Sequence, residues 1–247
     1  MWKPLCVWDG PGGQAALNCK EALPAAFQHV WTLGADGRTE PLSFHDLGCG
    51  YGSLLVLAHV LKGTQNFNIS TATGTEIRAD LHDAFMRWLH DFQEAAPLFA
   101  TAVDDIRRSF ILADMISPDA VAVQTAVRQA DIIWCNNMLF PPESNAAVAN
   151  MLRQCMSARA VVVSTAELQC MEQGTPLELR TQNRFMFPPD SMSWTGNAVP
   201  GFMSRLTTRV HDHGNGRDDH TAPRRDVARD RTRRRQSRTS RAQAIGS

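Results

Sequence analysis

A short apolar strand runs directly into three alternating glycines in the sequence FHDLGCGYGS, residues 44–53. Glycines spaced G-x-G-x-G let a backbone approach a ligand closely where a strand passes into a helix. Apolar residues recur at helical spacing immediately afterwards, at Leu54, Leu55, Leu57, Ala58 and Leu61. The N-terminus of that helix presents amide donors and the positive end of the helix dipole. Asp46 lies two residues before the first glycine, and an acid there favours a cationic ligand group over the pyrophosphate that G-x-G-x-x-G folds bind.

Strand and helix patterns alternate through the middle of the chain. A second strand ends at residues 75–77, and one face of the next helix carries Leu81, Phe85, Trp88, Leu89 and Phe92. Further apolar strands are predicted at residues 110–113, 132–135 and 160–163, with a helix after residues 141–143. Five strand–helix units predict an α/β fold with a mostly parallel, doubly wound sheet, in which ligands bind beyond the carboxyl ends of the strands.

Residues 177–208 have a different pattern. Aromatic and apolar side chains lie there among Pro and Gly, at Phe185, Phe187, Trp194, Val199 and Phe202. This pattern predicts a β-hairpin that closes the sheet.

Two more acidic residues stand where predicted strands end. Glu76, 30 residues after Asp46, can accept hydrogen bonds from both hydroxyls of a ribose. Asp114 can accept a hydrogen bond from an adenine amino group, and Met115 can pack on the plane of the base. Each feature alone is common, but together they describe a nucleoside that carries a cationic amino acid. The cofactor predicted from these residues is S-adenosylmethionine.

Two later segments are more specific, WCNNMLFPPE at residues 134–143 and SMSWTGNAV at residues 191–199. With the glycine motif, Glu76 and Asp114, they resemble the disruptor-of-telomeric-silencing family, the histone H3 lysine-79 methyltransferases that lack a SET domain. The resemblance covers about residues 12–208. It implies the class I methyltransferase fold, a Rossmann-like, seven-stranded, mostly parallel doubly wound sheet with a C-terminal antiparallel β-hairpin. It also implies methyl transfer from S-adenosylmethionine to the lysine-79 equivalent of histone H3 in the nucleosome, and a location in the nucleus.

The resemblance also assigns the cofactor-binding residues. Contacts to the methionine part of the cofactor would come from Asp46, Gly48, Gly50 and Ser53, and Gly52 would be a further cofactor-binding residue. Glu76 would hold the ribose, and Asp114 and Met115 would hold the adenine. A loop at Gly13 and Gln14 would close over the cofactor.

The same resemblance assigns the catalytic residues. Asn136 would lie at the methyl-transfer centre, and Trp194 with Phe140 would wall a channel for the lysine. Asn136 is neutral, so it would orient rather than deprotonate the amine. An apolar channel disfavours the ammonium form and lowers the pKa of the lysine. Without the Ser-Trp-Thr-Gly context, Trp194 would be interpreted as a core aromatic of the hairpin.

The chain departs from the family pattern at three positions. Met115 and Ala15 stand where the family has an aromatic and a hydroxyl residue, respectively. Gly201 stands where the channel has an aromatic residue, so either the neighbouring Phe202 replaces that residue or the channel is wider. The segment at residues 136–142 also suggests the Asn/Asp-Pro-Pro-aromatic motif of nucleic-acid amino-methyltransferases, but its spacing and order match that motif poorly.

The net charge of zero is the sum of two unlike parts. Residues 1–208 carry 14 basic and 20 acidic side chains, whereas residues 209–247 carry 11 Arg and 5 Asp. We therefore predict a methyltransferase domain at 1–208, in which 1–36 form the cofactor-closing loop and a helix, and an Arg-rich tail at 209–247. The tail has few apolar residues, which predicts disorder. It could anchor the protein to DNA, or it could be only a solvated terminus or a nuclear-import signal.

Other classes of protein and site find little support in the sequence. No run reaches the 18 apolar residues that suggest a membrane span, so no membrane partner is predicted. The six Cys contain no C-x-x-C pair and the His residues show no zinc-like spacing, so no metal site is predicted. The alternatives to a histone methyltransferase are a methyltransferase for another protein or a small amine, and a non-catalytic cofactor-binding scaffold.

Overall fold

The computed structural model describes residues 19–62, 64, 67–169, 177–189 and 197–208 of the chain. Within those ranges the strands are β1 (Leu42–Leu47), β2 (Ile69–Glu76), β3 (Phe110–Leu112), β4 (Ile132–Cys135), β5 (Val161–Ser164), β6 (Leu177–Phe187) and β7 (Val199–Thr208). The helices are α1 (Cys19–Ala35), α2 (Ser53–Leu61), α3 (Ala79–Ala95), α4 (Ala100–Ser109), α5 (Val121–Gln129) and α6 (Pro142–Cys155). A 3₁₀ turn at Pro97–Phe99 lies between α3 and α4.

The strands form one sheet in the order β3-β2-β1-β4-β5-β7-β6. Strands β1 to β5 all run parallel to one another, whereas β7 runs antiparallel to both β5 and β6. This topology confirms the predicted seven-stranded α/β sheet and its C-terminal hairpin. Because Asp46 pairs with Gly74 on one side and with Trp134 on the other, the carboxyl ends of β1, β2 and β4 meet at one edge.

Most predicted elements occur where the apolar pattern places them. Strand β4 matches its prediction residue for residue, and all four of its residues are buried. Strand β1 begins two residues before the predicted start, because Ser43 continues the strand while its hydroxyl donates to Asp131. Strand β5 runs from Val161 to Ser164, one residue later than predicted.

Helix α4 was not predicted, because its sequence alternates apolar and charged residues over a short span. Val103 and Ile106 face the core and are buried. The exposed side carries two ion pairs at i,i+3 spacing, Arg107 with Asp104 and Arg108 with Asp105, each with N···O distances of 2.6 Å. Such pairs add only a few tenths of a kcal/mol each, so burial of the apolar face decides that the helix forms.

The sheet has a separate apolar core on each face. Aromatic rings of α1 pack on β1 in the first core, where the Phe27 and Phe44 centroids lie 5.2 Å apart at an interplanar angle of 69°. Helices α5 and α6 cover the other face and supply Val123, Val127, Val148 and Leu152. Full burial of one such side chain stabilises the fold by about 1.5–3 kcal/mol. None of the helices in the described part of the chain is long and apolar enough to cross a membrane.

The amino-terminal edge of the sheet is closed by one buried carboxylate. Asp131 accepts hydrogen bonds from the Ser43 N–H at 3.0 Å and the Ser43 hydroxyl at 2.8 Å. Its other oxygen lies 3.4 Å from Arg38 and 3.2 Å from Arg159. These contacts satisfy the Asp131 carboxylate.

The hairpin places Phe185 directly across from Gly201. A Cβ atom at position 201 would lie 2.3 Å from a carbon of the Phe185 ring, so the ring fills the volume that a side chain there would need. Phe202 is a neighbour of Gly201 in β7, and adjacent strand residues point to opposite faces of the sheet. The aromatic ring that occupies the space beside Gly201 is therefore Phe185.

Candidate functional site

The loop between β1 and α2 is held against the end of β2. Gly48, Gly50 and Gly52 have φ angles of 76°, 55° and 68°, a left-handed conformation that favours glycine. The N–H groups of Gly48 and Cys49 both donate to the Thr75 carbonyl at 2.9 Å. A Cβ atom on Gly74 would lie 3.0 Å from Cys49 Sγ, so the lack of a side chain there lets the loop approach β2.

Glu76 joins the loop to the end of β2 through both carboxylate oxygens. Its Oε2 accepts from the Gly50 N–H at 2.8 Å. Its Oε1 accepts from the N–H groups of Ile77 and Arg78, both at 2.9 Å. The residue is buried, with 6% of its surface exposed. A carboxylate has about four acceptor positions and three are used here, so Glu76 keeps capacity for about one further donor, such as a ribose hydroxyl.

Asp46 is a buried carboxyl group beside Glu76. Only 3% of the residue is exposed, and within the described ranges its side chain accepts no hydrogen bond. Burial, and then the negative charge of Glu76, raise the pKa of Asp46 to about 8. The group is therefore mostly protonated at neutral pH, and a cation placed against it would favour its ionised form.

His45 precedes Asp46 in β1 and is fully buried. Its Nδ1 lies 2.7 Å from the Thr73 hydroxyl, and its Nε2 lies 3.2 Å from the Thr75 hydroxyl. Burial lowers the pKa of His45 to about 3, so the ring is neutral at physiological pH. Its two hydroxyl partners, both on β2, give this ring a structural role in joining the two strands.

Three of the predicted site residues meet at Gly48. A Cβ atom at this position would lie 3.4 Å from Met115 Cε and 3.5 Å from Phe140 Cζ. Met115 is buried and Phe140 is partly buried, and both belong to the core on the α5 and α6 side. The missing side chain of Gly48 thus leaves a small cradle between the sulfur-containing side chain and the aromatic ring.

The two asparagines after β4 have different environments. Asn136 is half-buried, and its Oδ1 accepts from the Thr165 hydroxyl at 3.0 Å. Asn137 is fully buried, and its Oδ1 accepts from the N–H groups of Thr165 and Ala166 at 3.1 and 2.9 Å. Since Leu47 pairs with Cys135, Asn136 follows β4 at the same level as Gly48 follows β1.

Asp114 and Ser53 lie in accessible positions at the same edge. Asp114 is half-buried, and its Oδ1 accepts from the Ile116 N–H at 3.1 Å within its own loop. The loop is tied to β2 because Ala113 N–H donates to the Glu76 carbonyl at 2.9 Å. Ser53 is exposed as the first residue of α2.

Three predicted site residues, Gly13, Gln14 and Trp194, lie outside the described residues, as does the tail at 209–247. Sequence reasoning overlooked Thr165 and Asn137, which join the loops after β4 and β5. The polar pair that follows the apolar Val161–Val163 run, Ser164-Thr165, was the available signal. In the described ranges no group of three His, Cys, Asp or Glu residues could hold a metal ion.

The residues at this edge fit S-adenosylmethionine. The buried Asp46 carboxyl, which has no donor among the described residues, suits the cationic amino acid part of the cofactor. The cradle at Gly48, where no side chain projects, suits the close approach of a ligand. Glu76 retains acceptor capacity for a ribose, and Met115 is placed for apolar contact with a base.

Comparison with known proteins finds one family. The model of the family described as histone methylation protein DOT1 matches residues 38–206. No curated protein sequence matches the chain. Among solved structures, the rRNA methyltransferase aviRa from Streptomyces viridochromogenes is 14% identical with a TM-score of 0.49, over 83% of this chain and 90% of that one. Magnesium protoporphyrin IX methyltransferase from Synechocystis PCC 6803 is 16% identical with a TM-score of 0.48, over 81% of this chain and 88% of that one.

Proposed function

We propose that the acceptor of this protein is the lysine-79 equivalent of histone H3 in the nucleosome. The chain belongs to the DOT1 family of histone methylation proteins, and it is an S-adenosylmethionine-dependent histone methyltransferase. The family match covers the glycine loop, Glu76, Asp114 and Asn136. The observation that carries the site assignment is the buried Asp46 carboxyl beside the Glu76-bound loop. A cationic nucleoside ligand would satisfy both groups.

The cofactor, when bound, supplies a methyl group on a positively charged sulfur. In this proposal Asp46 and the glycine loop hold the amino acid part, and Glu76, which also accepts the Gly50 N–H, holds the ribose. Asp114 and Met115 hold the adenine. Gly13, Gln14, Gly52 and Ser53 complete the cofactor contacts in the proposal. Alignment of donor and acceptor then provides most of the rate enhancement, because transfer to an amine needs the two atoms close together and in line.

The acceptor lysine must reach the reaction centre as a neutral amine. Phe140 would supply an apolar wall beside Gly48, and Trp194 is proposed as a second wall. An apolar surrounding lowers the pKa of a lysine ammonium, which promotes loss of its proton to solvent. Asn136 would orient groups at the centre, because an amide has neither a charge nor a useful basicity.

The family assignment implies a role at chromatin, and a location in the nucleus is part of the proposal. We also propose that residues 1–208 form the methyltransferase domain and that the Arg-rich tail at 209–247 contacts DNA. The tail carries 11 Arg, which suit phosphate contacts. Deletion of 209–247 should weaken DNA binding at low salt and leave cofactor affinity unchanged. A deletion variant that binds DNA as the full chain does would remove the tail from the proposal.

The test of the substrate is a methyl-transfer assay with labelled S-adenosylmethionine. Nucleosomes, free histone H3, DNA and RNA are offered separately, and Asp46→Asn is the inactive control. We expect label on H3 in nucleosomes, at the lysine-79 equivalent by mass spectrometry. Label on nucleic acid with none on H3 would overturn the proposal. Robust transfer to other proteins or small amines would favour the alternative acceptors, and cofactor binding without turnover would favour a scaffold.

A further inference from the structure

Thr165 is a buried residue that links the loops after β4 and β5. It is fully buried, with no exposed surface. Its Oγ1 accepts from the Met138 N–H at 3.0 Å and lies 3.0 Å from Asn136 Oδ1. A buried hydroxyl that both accepts and donates is fixed in its rotation, so it can fix a partner in turn.

Asn137 is not the residue whose side chain the Thr165 hydroxyl orients. Its Oδ1 already accepts from two backbone N–H groups, and its Nδ2 donates to Asn145 Oδ1 at 2.7 Å and to the Ala166 carbonyl at 3.1 Å. The Thr165 hydroxyl lies 3.4 Å from Asn137 Oδ1, farther than from Asn136 Oδ1. Asn137 is thus a fully bonded structural amide.

The hydroxyl proton of Thr165 therefore goes to Asn136. Because Oγ1 accepts the Met138 N–H, its single proton is left for the nearer acceptor, Asn136 Oδ1. This bond fixes which edge of the Asn136 amide carries the oxygen. Within the described ranges the Nδ2 group of Asn136 makes no hydrogen bond, so the amide keeps two N–H donors. These donors lie at the end of β4, which corresponds to the position of Gly48 at the end of β1.

We propose that Thr165 is a positioning residue, which orients the Asn136 amide so that its Nδ2 donors face the bound ligands. The inference rests on the proposed function, because Asn136 is placed at the transfer centre there. Thr165 itself touches no ligand in this account. Its contribution is the orientation of a neighbouring amide that would otherwise rotate freely.

The orientation can be measured without any acceptor substrate. In protein labelled with ¹⁵N-asparagine, the Asn136 side-chain signal is assigned by its absence from Asn136→Ala. Thr165→Val should shift or broaden that signal and leave the Asn137 signal in place, since the substitution keeps the backbone partners of Asn137 and its bond to Asn145. Thr165→Ser should keep both signals. An Asn136 signal that Thr165→Val leaves unmoved would overturn the proposal, whatever the protein methylates.

The consequence for transfer is measured on the acceptor that the protein uses. Thr165→Val should lower kcat about 10- to 100-fold, because misplaced groups at a reacting centre cost this much, with little change in KM for the cofactor. Thr165→Ser should restore most of the rate. In the Asn136→Ala background, Thr165→Val should have no further effect, since it acts through Asn136. Additive losses would show a general structural role instead.

The variant Asn136→Asp tests whether the Nδ2 donors or the Oδ1 acceptor of Asn136 matter for transfer. This test does not require Thr165→Val to fold. Aspartate can still accept from Thr165 but has no N–H to donate. We expect it to lose as much turnover as Asn136→Ala. Turnover close to that of the unmodified protein would show that the acceptor oxygen is the working atom, and this would overturn the assignment.

Discussion

The backbone N–H of Gly50 donates a 2.8 Å hydrogen bond to Oε2 of Glu76, which fastens the glycine loop to the end of β2. The two residues are 26 positions apart in the chain. The carboxylate proposed to hold the ribose therefore also shapes the loop proposed to hold the methionine part. One residue has two separable effects, on stability and on cofactor affinity.

Glu76→Gln should weaken both the stability of the fold and the affinity for the cofactor. Both Glu76 oxygens accept backbone N–H groups, and an amide must turn its NH₂ toward one of those donors. We expect a loss of about 1–3 kcal/mol in the free energy of unfolding and at least a tenfold loss in cofactor affinity. Denaturant titration and calorimetry measure the two quantities. Asp80→Asn, an exposed carboxylate nearby, is the matched control and should change neither by much.

The protonation of Asp46 should couple cofactor binding to pH. The pKa of Asp46 is raised to about 8, so a cationic ligand that needs the ionised form must displace a proton at pH 7. Affinity should rise from pH 6 to pH 8 and level off above it. Calorimetry at pH 7 in buffers of different ionisation enthalpy should report release of close to one proton. Asp46→Asn should abolish that release along with most of the affinity.

Asp46→Asn should also stabilise the free protein at high pH. A carboxyl whose folded pKa is raised lowers stability as pH rises from its unfolded value toward about 8. The substitution should therefore raise the free energy of unfolding at pH 8.5, on the order of several kcal/mol, and change it much less at pH 4. A variant no more stable than the unmodified protein at pH 8.5 would contradict the burial of a proton at this residue.

Comparing Gly48→Ala with Gly37→Ala distinguishes the effect of backbone strain on stability from the effect of an added methyl group on ligand binding. Gly48 and Gly37 have nearly the same φ, 76° and 75°, but only Gly48 has neighbours within 4 Å, on Met115 and Phe140. Alanine at either position should destabilise the fold by about 1–2 kcal/mol through the left-handed backbone. Only Gly48→Ala should lose cofactor affinity, because its methyl group enters the cradle. Equal affinity in both variants would place the ligand elsewhere.

Gly201→Ala should test the packing of the hairpin. Its Cβ would overlap the Phe185 ring at 2.3 Å, and overpacking of this kind costs about 1–3 kcal/mol. Combined with Phe185→Leu, which shortens the opposing side chain, the same change should cost less than the sum of the two single substitutions. Thermal unfolding of the four proteins measures this, and strict additivity would mean that the two side chains do not compete for space.

The sequence predicted those elements whose burial is uniform. All four residues of β4 are buried on both faces, so their apolar run marks the strand without ambiguity. The start of β1 was wrong by two residues, because Ser43 is polar and its partner Asp131 lies 88 positions away. No local pattern reveals a polar residue that is satisfied from so far along the chain.

The same limit applies at the site. Asp46, Gly50, Glu76 and Asn136 stand at strand ends, where a single sequence can suggest them. Thr165 acts across 29 positions, and only the pairing of β4 with β5 brings it to Asn136. Phe185 lies over Gly201 because of the pairing register between β6 and β7. A β-bulge between Thr181 and Asn183 shifts this register. A bulge moves every later side chain relative to its partner, and propensity cannot locate it.

His45 and Asp46 are adjacent buried residues whose pKa values are shifted in opposite directions, that of His45 downward and that of Asp46 upward. Folding therefore releases a proton at one residue and takes one up at the other. Between pH 4 and 6.5, folding releases a proton from His45, whose folded pKa is about 3 against 6.5 unfolded. Over the same interval folding takes one up at Asp46, whose folded pKa is about 8 against 3.8. The two transfers cancel, so the pair leaves stability independent of pH there, with a decline on either side. The residue proposed to link cofactor binding to pH therefore has a neighbour in β1 that cancels its proton uptake on folding between pH 4 and 6.5.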